Sequence, residues 1–385
     1  MLTQAEVVFW ACLAIGLYPY AGYPLCVALL RAVRPRPVCA AAITPRVTVV
    51  ISAYNEASHI EATVHNKLNQ DYPQGLLDVM VVSDGSTDDT DRVLTRLALQ
   101  DARITFIRQE PRGGKTAALN RLLEQARSEI IVFSDANSIY RADSVRRLVE
   151  PFADPGVGYA SGRMLYVDPV GSLVGDGCTA YMRYENALRA CEAAVGSVAG
   201  VDGGVDAVRR LLYRPMRADQ LPDFVLPLAV VEQGYRVVYV PDAILEEETL
   251  TSEGAEYRMR VRVALRAFWA LWDKRALLNP VRFPLFSWQL ASHKLLRYLS
   301  FLPLGLAAVF NWLLVSRGSL YAALAAGQCA AALLALLAVH GPPRLRAFSL
   351  ARYCYYFLLL NCASAVAFVR FLRGERQVLW QPRTG

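Results

Sequence analysis

Four short polar clusters contain the side chains in this chain whose types and spacing suit chemistry. Three of them follow apolar runs that are typical of β-strands: Tyr54-Asn55-Glu56, Asp84-Gly85-Ser86 and Asp135-Ala136-Asn137. The fourth, Gly113-Gly114-Lys115, stands at the start of a predicted helix. Because α/β proteins bind ligands beyond the carboxyl ends of their parallel strands, we expect these clusters to lie together.

Asp135 and Asn137 form a candidate metal site. Two oxygen-bearing side chains separated by one residue, in an extended segment that leaves a strand, can face the same cation. Oxygen ligands suit Mg²⁺ or Mn²⁺, which would bridge the two phosphates of a donor. In isolation, the same residues are equally typical of a polar turn.

Asp84 and Lys115 are candidate ligand-binding residues. Asp84 can accept a hydrogen bond from a base N–H while Gly85 permits a tight turn, although a helix cap alone explains this run better when it is taken by itself. Lys115 follows two glycines at a helix start, a place that can receive phosphate or sugar hydroxyls. The run lacks the GxxxxGK[ST] spacing, which excludes a P-loop NTPase.

Further candidates lie later in the chain. Asp223 precedes an apolar helical run, so it is either a general base or an N-cap. Arg258, Arg260 and Arg262 alternate along a predicted helix. They would meet a diphosphate or, as the alternative, form a basic face toward solvent or lipid.

Strands and helices alternate around these clusters. Strands are predicted at 47–52, 78–83, 103–108 and 129–134, with helices near 58–69, from residue 88, and at 115–126. Further helices are predicted at 176–193, from residue 223 and at 256–272, and a strand at 236–240. This alternation predicts an α/β fold with a doubly wound, mostly parallel sheet.

Four uncharged stretches, at 7–30, 298–316, 318–343 and 353–369, are about as long as a membrane span. Basic residues follow the first stretch and only Glu6 precedes it, which predicts a cytosolic domain after an uncleaved anchor. Three later spans would leave the C-terminal tail outside, although that tail is rich in arginine. Either the last stretch or 298–316 fails to cross fully, or the charge rule is broken.

The composition agrees with a membrane protein. Of the 385 residues 54% are hydrophobic, and the net charge of +7 comes largely from arginines beside the apolar stretches, which favours membrane lipids over nucleic acid as partners. The eight cysteines have no metal-binding spacing, which indicates a reducing compartment. The predicted parts are an anchor at 1–31, a basic linker at 32–46, a cytosolic domain at 47–273, an interfacial segment at 274–297, membrane helices at 298–372 and a basic tail at 373–385.

The order of these motifs resembles that of family 2 glycosyltransferases with the GT-A fold, over residues 47–272. The flanking apolar stretches resemble those of the family's membrane-integrated synthases. The resemblance implies nucleoside binding by Tyr54, Glu56 and Asp84, and it places Lys115 and Asp135 at the donor. It also implies a metal site at Asp135 and Asn137, where Asn replaces the second Asp of a DxD motif and removes a ligand charge. Glu247 stands where some relatives have a metal-binding His and would restore that charge.

The resemblance also assigns the catalytic residues. Asp223 matches the base of a TED-type motif, with Leu221-Pro222 in place of the usual Thr-Glu. Arg260 and Arg262 match the two arginines of a QxxRW-type motif, in which Val263 replaces Trp. In processive relatives that Trp stacks on the acceptor sugar, so its loss favours one or few transfers over polymer synthesis.

The resemblance therefore implies a metal-assisted, inverting hexosyl transfer from a nucleotide-sugar, most often a UDP-sugar, at the inner membrane. The acceptor would be lipid-linked or a polysaccharide of the cell envelope, and Mg²⁺ or Mn²⁺ would be the cofactor. The alternatives are a processive polysaccharide synthase and a catalytically inactive membrane scaffold. A nucleotidyltransferase is disfavoured because residues 53–57 lack a basic triphosphate loop. We expect Asp84, Asp135 and Asp223 to surround one cavity.

Overall fold

An open, mostly parallel sheet occupies the centre of the computed structural model, which describes residues 3–167, 173–248, 253–346 and 348–378. Within those residues the sheet has eight strands in the order β3-β2-β1-β4-β7-β6-β8-β5. The strands are β1 Val47–Ala53, β2 Leu77–Asp84, β3 Ile104–Gln109, β4 Ile130–Asp135, β5 Ile139–Tyr140, β6 Val157–Val167, β7 Asp206–Arg209 and β8 Arg236–Glu248. β1, β2, β3 and β4 pair in parallel, and β7 runs antiparallel between β4 and β6. The predicted fold class is confirmed.

The helices lie between the strands and at both ends of the chain. They are α1 Gln4–Leu17, α2 Tyr23–Val33, α3 Ile60–Leu68, α4 Thr90–Gln100, α5 Lys115–Gln125, α6 Ser144–Val149, α7 Leu173–Val195, α8 Pro222–Glu232, α9 Glu253–Asp273, α10 Pro284–Leu290, α11 Leu296–Leu299, α12 Phe301–Leu314, α13 Ser319–His340, α14 Pro343–Arg346 and α15 Ser349–Leu372. The helices between β1 and β4 begin and end within a few residues of their predicted positions.

Both faces of the sheet are covered. Every residue of β1 is buried, because Val47, Val49 and Ile51 pack on one core while Val50 packs on the other. The first core lies under α3, α4 and α6, and the second lies under α5, α8 and α9. A strand buried on both faces is a continuous apolar run, which is why β1 and β4 were predictable from the sequence.

β8 is longer than predicted. The apolar run 236–240 stops at Pro241, a residue that cannot donate to a strand ladder. The pairing of β8 with β6 shifts register between Ser161 and Arg163, and this irregularity accommodates the proline. The strand therefore continues to Glu248, and its end places Glu247 near the polar clusters.

Several apolar helices flank this domain. In the described part of the chain, three are long and apolar enough to cross a membrane: Gln4–Val33, Ser319–His340 and Ser349–Leu372. The pair Pro284–Leu299 and Phe301–Arg317, bent by 53°, would make a fourth if it forms one span. Most of the uncharged stretch 298–316 thus lies in the second arm of this bent pair.

The segment that follows α15 returns to the sheet domain. Trp269 Nε1 donates to the carbonyl oxygen of Glu375 at 2.7 Å, and the Arg376 guanidinium lies 4.0 Å from the centre of the Trp269 ring. Arg376 also pairs with Asp219. Arg383 of the predicted basic tail lies outside the described residues.

Candidate active site

A cavity of about 280 Å³ lies at the strand ends that the polar clusters follow. Its lining includes eight of the residues predicted from the sequence: Glu56, Lys115, Asp135, Asn137, Asp223, Glu247, Arg260 and Arg262. They come from strand ends and from the helices α5, α8 and α9. One cavity thus brings together carboxylates, an amide and cations that are as much as 206 residues apart in the sequence.

Asp135 and Asn137 present oxygen ligands to this cavity. Asp135 is the last residue of β4, and Lys115 Nζ donates to its Oδ1 at 2.5 Å. A Cβ built on Gly204 would lie 3.5 Å from Asp135 Oδ2, so the backbone of the 203–204 turn approaches this carboxylate closely. This turn follows α7, so a segment distant in the sequence packs beside Asp135.

These residues fit Mg²⁺ or Mn²⁺ as part of a coordination shell. Carboxylate and amide oxygens are the ligands that such hard cations prefer, and Mg²⁺ sites take few protein ligands beside substrate phosphates and water. Among the described residues, no three His, Cys, Asp or Glu side chains are grouped closely enough to hold a metal by themselves. Donor phosphates would therefore complete the shell, and Glu247 lines the same cavity.

Asp223 lies in the first turn of α8 and lines the cavity. The N-cap of α8 is Leu221, which makes no side-chain capping bond, so the capping alternative for Asp223 does not apply. Gly203 adopts a positive φ of 79°, and a Cβ built on it would lie 2.7 Å from Asp223 Oδ2. Only glycine allows the turn to pack this closely on the carboxylate.

The arginines of α9 differ in their surroundings. Arg262 lines the cavity, and burial lowers its pKa while the negative charge of Asp223 opposes that shift. Arg260 also lines it, with Nε 2.7 Å from Glu256 Oε1 and a terminal nitrogen donating to the Tyr356 hydroxyl at 2.6 Å. Arg258 is exposed and is not part of the lining. The alternative of a purely solvent-facing basic helix thus describes Arg258 alone of the three.

Asp84 does not line this cavity, contrary to the expectation that it would face Asp135 and Asp223. Its carboxylate is fully buried and accepts hydrogen bonds from Gln109 Nε2 and from the amides of Gly113 and Gly114, all at 2.7–2.8 Å. A buried carboxylate needs such donors, and the nearest are the amides of the glycine turn. Asp84 therefore holds the turn that presents Lys115.

Tyr54 lies beside this turn and outside the lining of the cavity. The Arg112 guanidinium stacks 3.4 Å from the centre of its ring, and Arg112 Nε lies 3.8 Å from Asp84 Oδ2. Tyr54, Asp84 and Arg112 form a group of their own next to Gly113 and Gly114. A planar base would find an aromatic ring and a cation there.

Glu56 is two residues after Tyr54 in the sequence, but unlike Tyr54 it belongs to the cavity. It lines the cavity, and burial raises the pKa of its carboxyl, with the charges of Asp135 and Asp88 adding to the effect and that of His59 opposing it. Its backbone amide donates to Thr90 Oγ1 at 2.9 Å, which ties the strand end of β1 to the start of α4.

The opposite wall of the cavity was not predicted from the sequence. α7 and the bent pair supply Glu185, Arg189 and Lys294, and His293 behind them lies 2.8 Å from Glu192 and 3.2 Å from Glu185. Charged residues three and four apart in a helical run, at 185, 189 and 192, were a signal for this face. Lys294 belongs to the predicted interfacial segment 274–297, and it lines the cavity.

Residues 48–178 match the family model described as Glycosyl transferase family 2. A beta-monoglucosyldiacylglycerol synthase of Nostoc sp. is 29% identical over 168 residues, which are 43% of this chain and 36% of that protein. An N-acetylglucosaminyltransferase of Rhizobium sp. is 27% identical over 289 residues, or 70% of this chain and 63% of that protein. The chain therefore spans about a third to two thirds of the length of these relatives.

Among solved structures, the mannosyltransferase PcManGT from Pyrobaculum calidifontis, in complex with GDP-Man and Mn²⁺, has a similar fold over the whole chain. The TM-score is 0.73 at 25% sequence identity, with 97% of this chain and 100% of that chain covered. The likeness thus includes the flanking helices as well as the sheet.

Proposed function

Through residues 48–178 this chain belongs to the family 2 glycosyltransferases, and we propose that it transfers a sugar from a nucleotide-sugar to an acceptor at the membrane. One observation carries the proposal: Lys115, Asp135, Asp223 and Arg262 line a single cavity. These acidic and basic side chains around one cavity suit catalysis, whereas a catalytically inactive scaffold would not require them.

The donor diphosphate binds between the Asp135–Asn137 loop and α9. Lys115, Arg260 and Arg262 supply positive charge to it, and Asp135 and Asn137 would hold the cation, Mg²⁺ or Mn²⁺. When bound, the cation would supply further positive charge for the leaving diphosphate. The similar mannosyltransferase was solved with Mn²⁺ and a nucleoside diphosphate sugar, which supports this donor and cofactor class. The nucleoside lies beside Tyr54, next to the glycine turn that Asp84 holds, with UDP as the expected nucleotide.

The transfer is a displacement with inversion. Asp223 accepts the proton of the acceptor hydroxyl while its oxygen forms a bond to the anomeric carbon. The bond from that carbon to the phosphate oxygen breaks, and the diphosphate leaves with the electron pair. Lys115, Arg260 and Arg262 stabilise the charge that develops on it, which is usually the largest catalytic contribution.

The acceptor is a lipid or a lipid-linked sugar at the membrane surface. The name of the Nostoc relative indicates a glycolipid product, which supports a lipid acceptor for this chain. Val263 lines the cavity where processive relatives have a stacking Trp.

We expect the purified protein to add one or a few sugars, because no aromatic platform at residue 263 holds a growing chain. Chromatography and mass spectrometry of the products measure this. A ladder of long chains would favour the processive polysaccharide synthase instead.

The packing of the apolar helices suggests how the chain crosses the membrane. α12 runs antiparallel to α1: Tyr20 and Ser300 hydroxyls lie 2.8 Å apart at one end, and Tyr321 donates to Glu6 at 3.2 Å at the other. α15 packs along α9, from Tyr356 beside Arg260 to Phe371, whose ring centre lies 4.7 Å from that of Trp269, and it also packs along α13. We propose that α12 and α13 cross as a hairpin and that α15 lies against the catalytic domain.

The proposed arrangement would resolve the conflict in the predicted topology. In it the first span leads inward, the hairpin leads out and back, and the basic segment after α15 stays beside the cytosolic domain, as positive charge prefers. The last apolar stretch, 353–369, is then the one that fails to cross.

Cysteine labelling tests the topology. Gly318→Cys, in the turn between α12 and α13, is expected to react with an impermeant maleimide from outside the cell, because the hairpin tip lies there. Arg344→Cys, after α13, is expected to react only after permeabilisation. The parent chain with its eight native cysteines supplies the background. The opposite pattern would mean that α13 and α15 form the crossing pair.

A further inference from the structure

Lys67 is a fully buried lysine behind the Asp135–Asn137 loop. It lies on α3, and its Nζ donates to the carbonyl oxygen of Ser138 at 2.6 Å and to Asn66 Oδ1 at 2.9 Å. The same Nζ lies 3.8 Å from the centre of the Tyr140 ring. Its two hydrogen-bond acceptors, a main-chain carbonyl and an amide oxygen, are neutral, and the charge that acts on it is that of Asp135. Such burial costs free energy that an apolar side chain of the same length would not.

Two other α3 residues hold the same loop. Thr63 Oγ1 donates to the carbonyl oxygen of Ala136 at 2.7 Å. Asn66 forms a pair of bonds with Tyr140, donating to its carbonyl oxygen at 2.9 Å and accepting from its amide at 2.8 Å. Every second residue from Ala136 to Tyr140 is thus bound by α3.

The alternate residues of the loop face the other way. Ala136, Ser138 and Tyr140 are each at most 2% exposed, whereas Asp135 and Asn137 are partly exposed and line the cavity. The chain leaves β4 through a turn at Ala136 and Asn137, and buried and partly exposed residues alternate through this turn. The hydrogen bonds from α3 to the buried residues of the loop therefore determine where the oxygens of Asp135 and Asn137 lie in the cavity.

Tyr140 links the loop to the 203–204 turn, which packs on Asp223. Its hydroxyl lies 2.6 Å from the carbonyl oxygens of both Phe133 and Gly204. Gly204 belongs to the turn whose Gly203 backbone packs on the Asp223 carboxylate. A continuous set of contacts therefore runs from α3 through Tyr140 to the residue proposed as the base.

We propose that Lys67 is a positioning residue: through Ser138 and Tyr140 it holds Asp135 and Asn137 in the geometry that binds the cation, and in register with Asp223. The proposal rests on the metal-assisted transfer proposed above. Lys67 touches neither donor nor acceptor, and its contribution is to the placement of the loop. Groups that orient metal ligands typically contribute 10–100-fold to metal affinity.

The test uses Lys67→Met in the full chain, since Met keeps the length and apolar contacts of the stem and removes the donors. Mn²⁺ binding in the presence of UDP or GDP is measured by electron paramagnetic resonance, beside the Mn²⁺ dependence of transfer. We expect the Mn²⁺ dissociation constant to rise by about tenfold or more. Lys274→Met is the matched control, because Lys274 pairs with Glu232 at 2.6 Å and does not line the cavity; its Mn²⁺ affinity should match that of the parent.

A folded Lys67→Met protein that binds Mn²⁺ as tightly as the parent would overturn the proposal. If Lys67→Met does not fold, Thr63→Val takes its place, since it removes only the bond to Ala136 and should weaken Mn²⁺ binding in the same direction. A Thr63→Val protein with parental Mn²⁺ affinity would likewise overturn it. Absence of Mn²⁺-dependent nucleotide binding in the parent chain would instead reject the metal-assisted function itself.

Discussion

Asp223→Asn is expected to lower the transfer rate by about 10² to 10⁴, the range that general bases contribute. The amide keeps the shape of the carboxylate against Gly203 but cannot accept the acceptor proton. Donor binding should persist or strengthen, because the change removes a negative charge from a cavity that receives a diphosphate. Initial rates of sugar transfer and titration with UDP or GDP measure the two effects separately.

Asp242→Asn is the matched control for this change, since Asp242 is exposed on β8 and lies outside the cavity. It should transfer sugar at the parental rate. Unchanged turnover in Asp223→Asn would remove Asp223 from the mechanism, and equal loss of donor binding and turnover would assign it to the donor instead.

Arg262→Met should lower the rate by about 10² to 10³, the loss observed when one preorganised stabilising group is removed. Arg262 faces the cavity near Asp223, where burial strengthens its interaction with the leaving diphosphate. Because the charge on the leaving oxygen grows during the reaction, kcat should fall more than the affinity for the donor does.

Arg258→Met tests whether loss of a positive charge from α9 is enough to produce the effect. Arg258 lies one helical turn before Arg262 but is exposed. Its replacement should leave kcat within about twofold, because exposed charges are screened by solvent. Equal losses in both variants would indicate a general effect of charge on the helix and argue against a direct role of Arg262.

The sheet and most of the site were predictable because the relevant signals are local. Apolar runs followed by Tyr54, Asp84 and Asp135 mark strand ends, and strand ends of a parallel sheet share one edge. Residues of α9 and α8 were placed at the same site by resemblance to a family, and the cavity contains Asp223, Arg260 and Arg262.

The remaining features depend on contacts between distant segments, which a sequence pattern does not reveal. Asp84 looked like a ligand-binding residue, yet its bonding depends on Gln109 and the glycine turn beyond it. The short strand β7 lies antiparallel between β4 and β6, and its four residues carry no periodicity that distinguishes them. The packing of α15 along α9 and α13 is likewise a contact between distant segments.

The docked segment after α15 has a practical consequence for the design of expression vectors. The carbonyl oxygen of Val378 lies 2.9 Å from where a Cβ on Gly114 would be, directly beside the turn that presents Lys115. A polyhistidine tag fused to this docked segment would therefore bring chelating imidazoles near the cation loop and distort any measurement of metal dependence. A tag before residue 1, across the bilayer in the proposed topology, avoids this artefact.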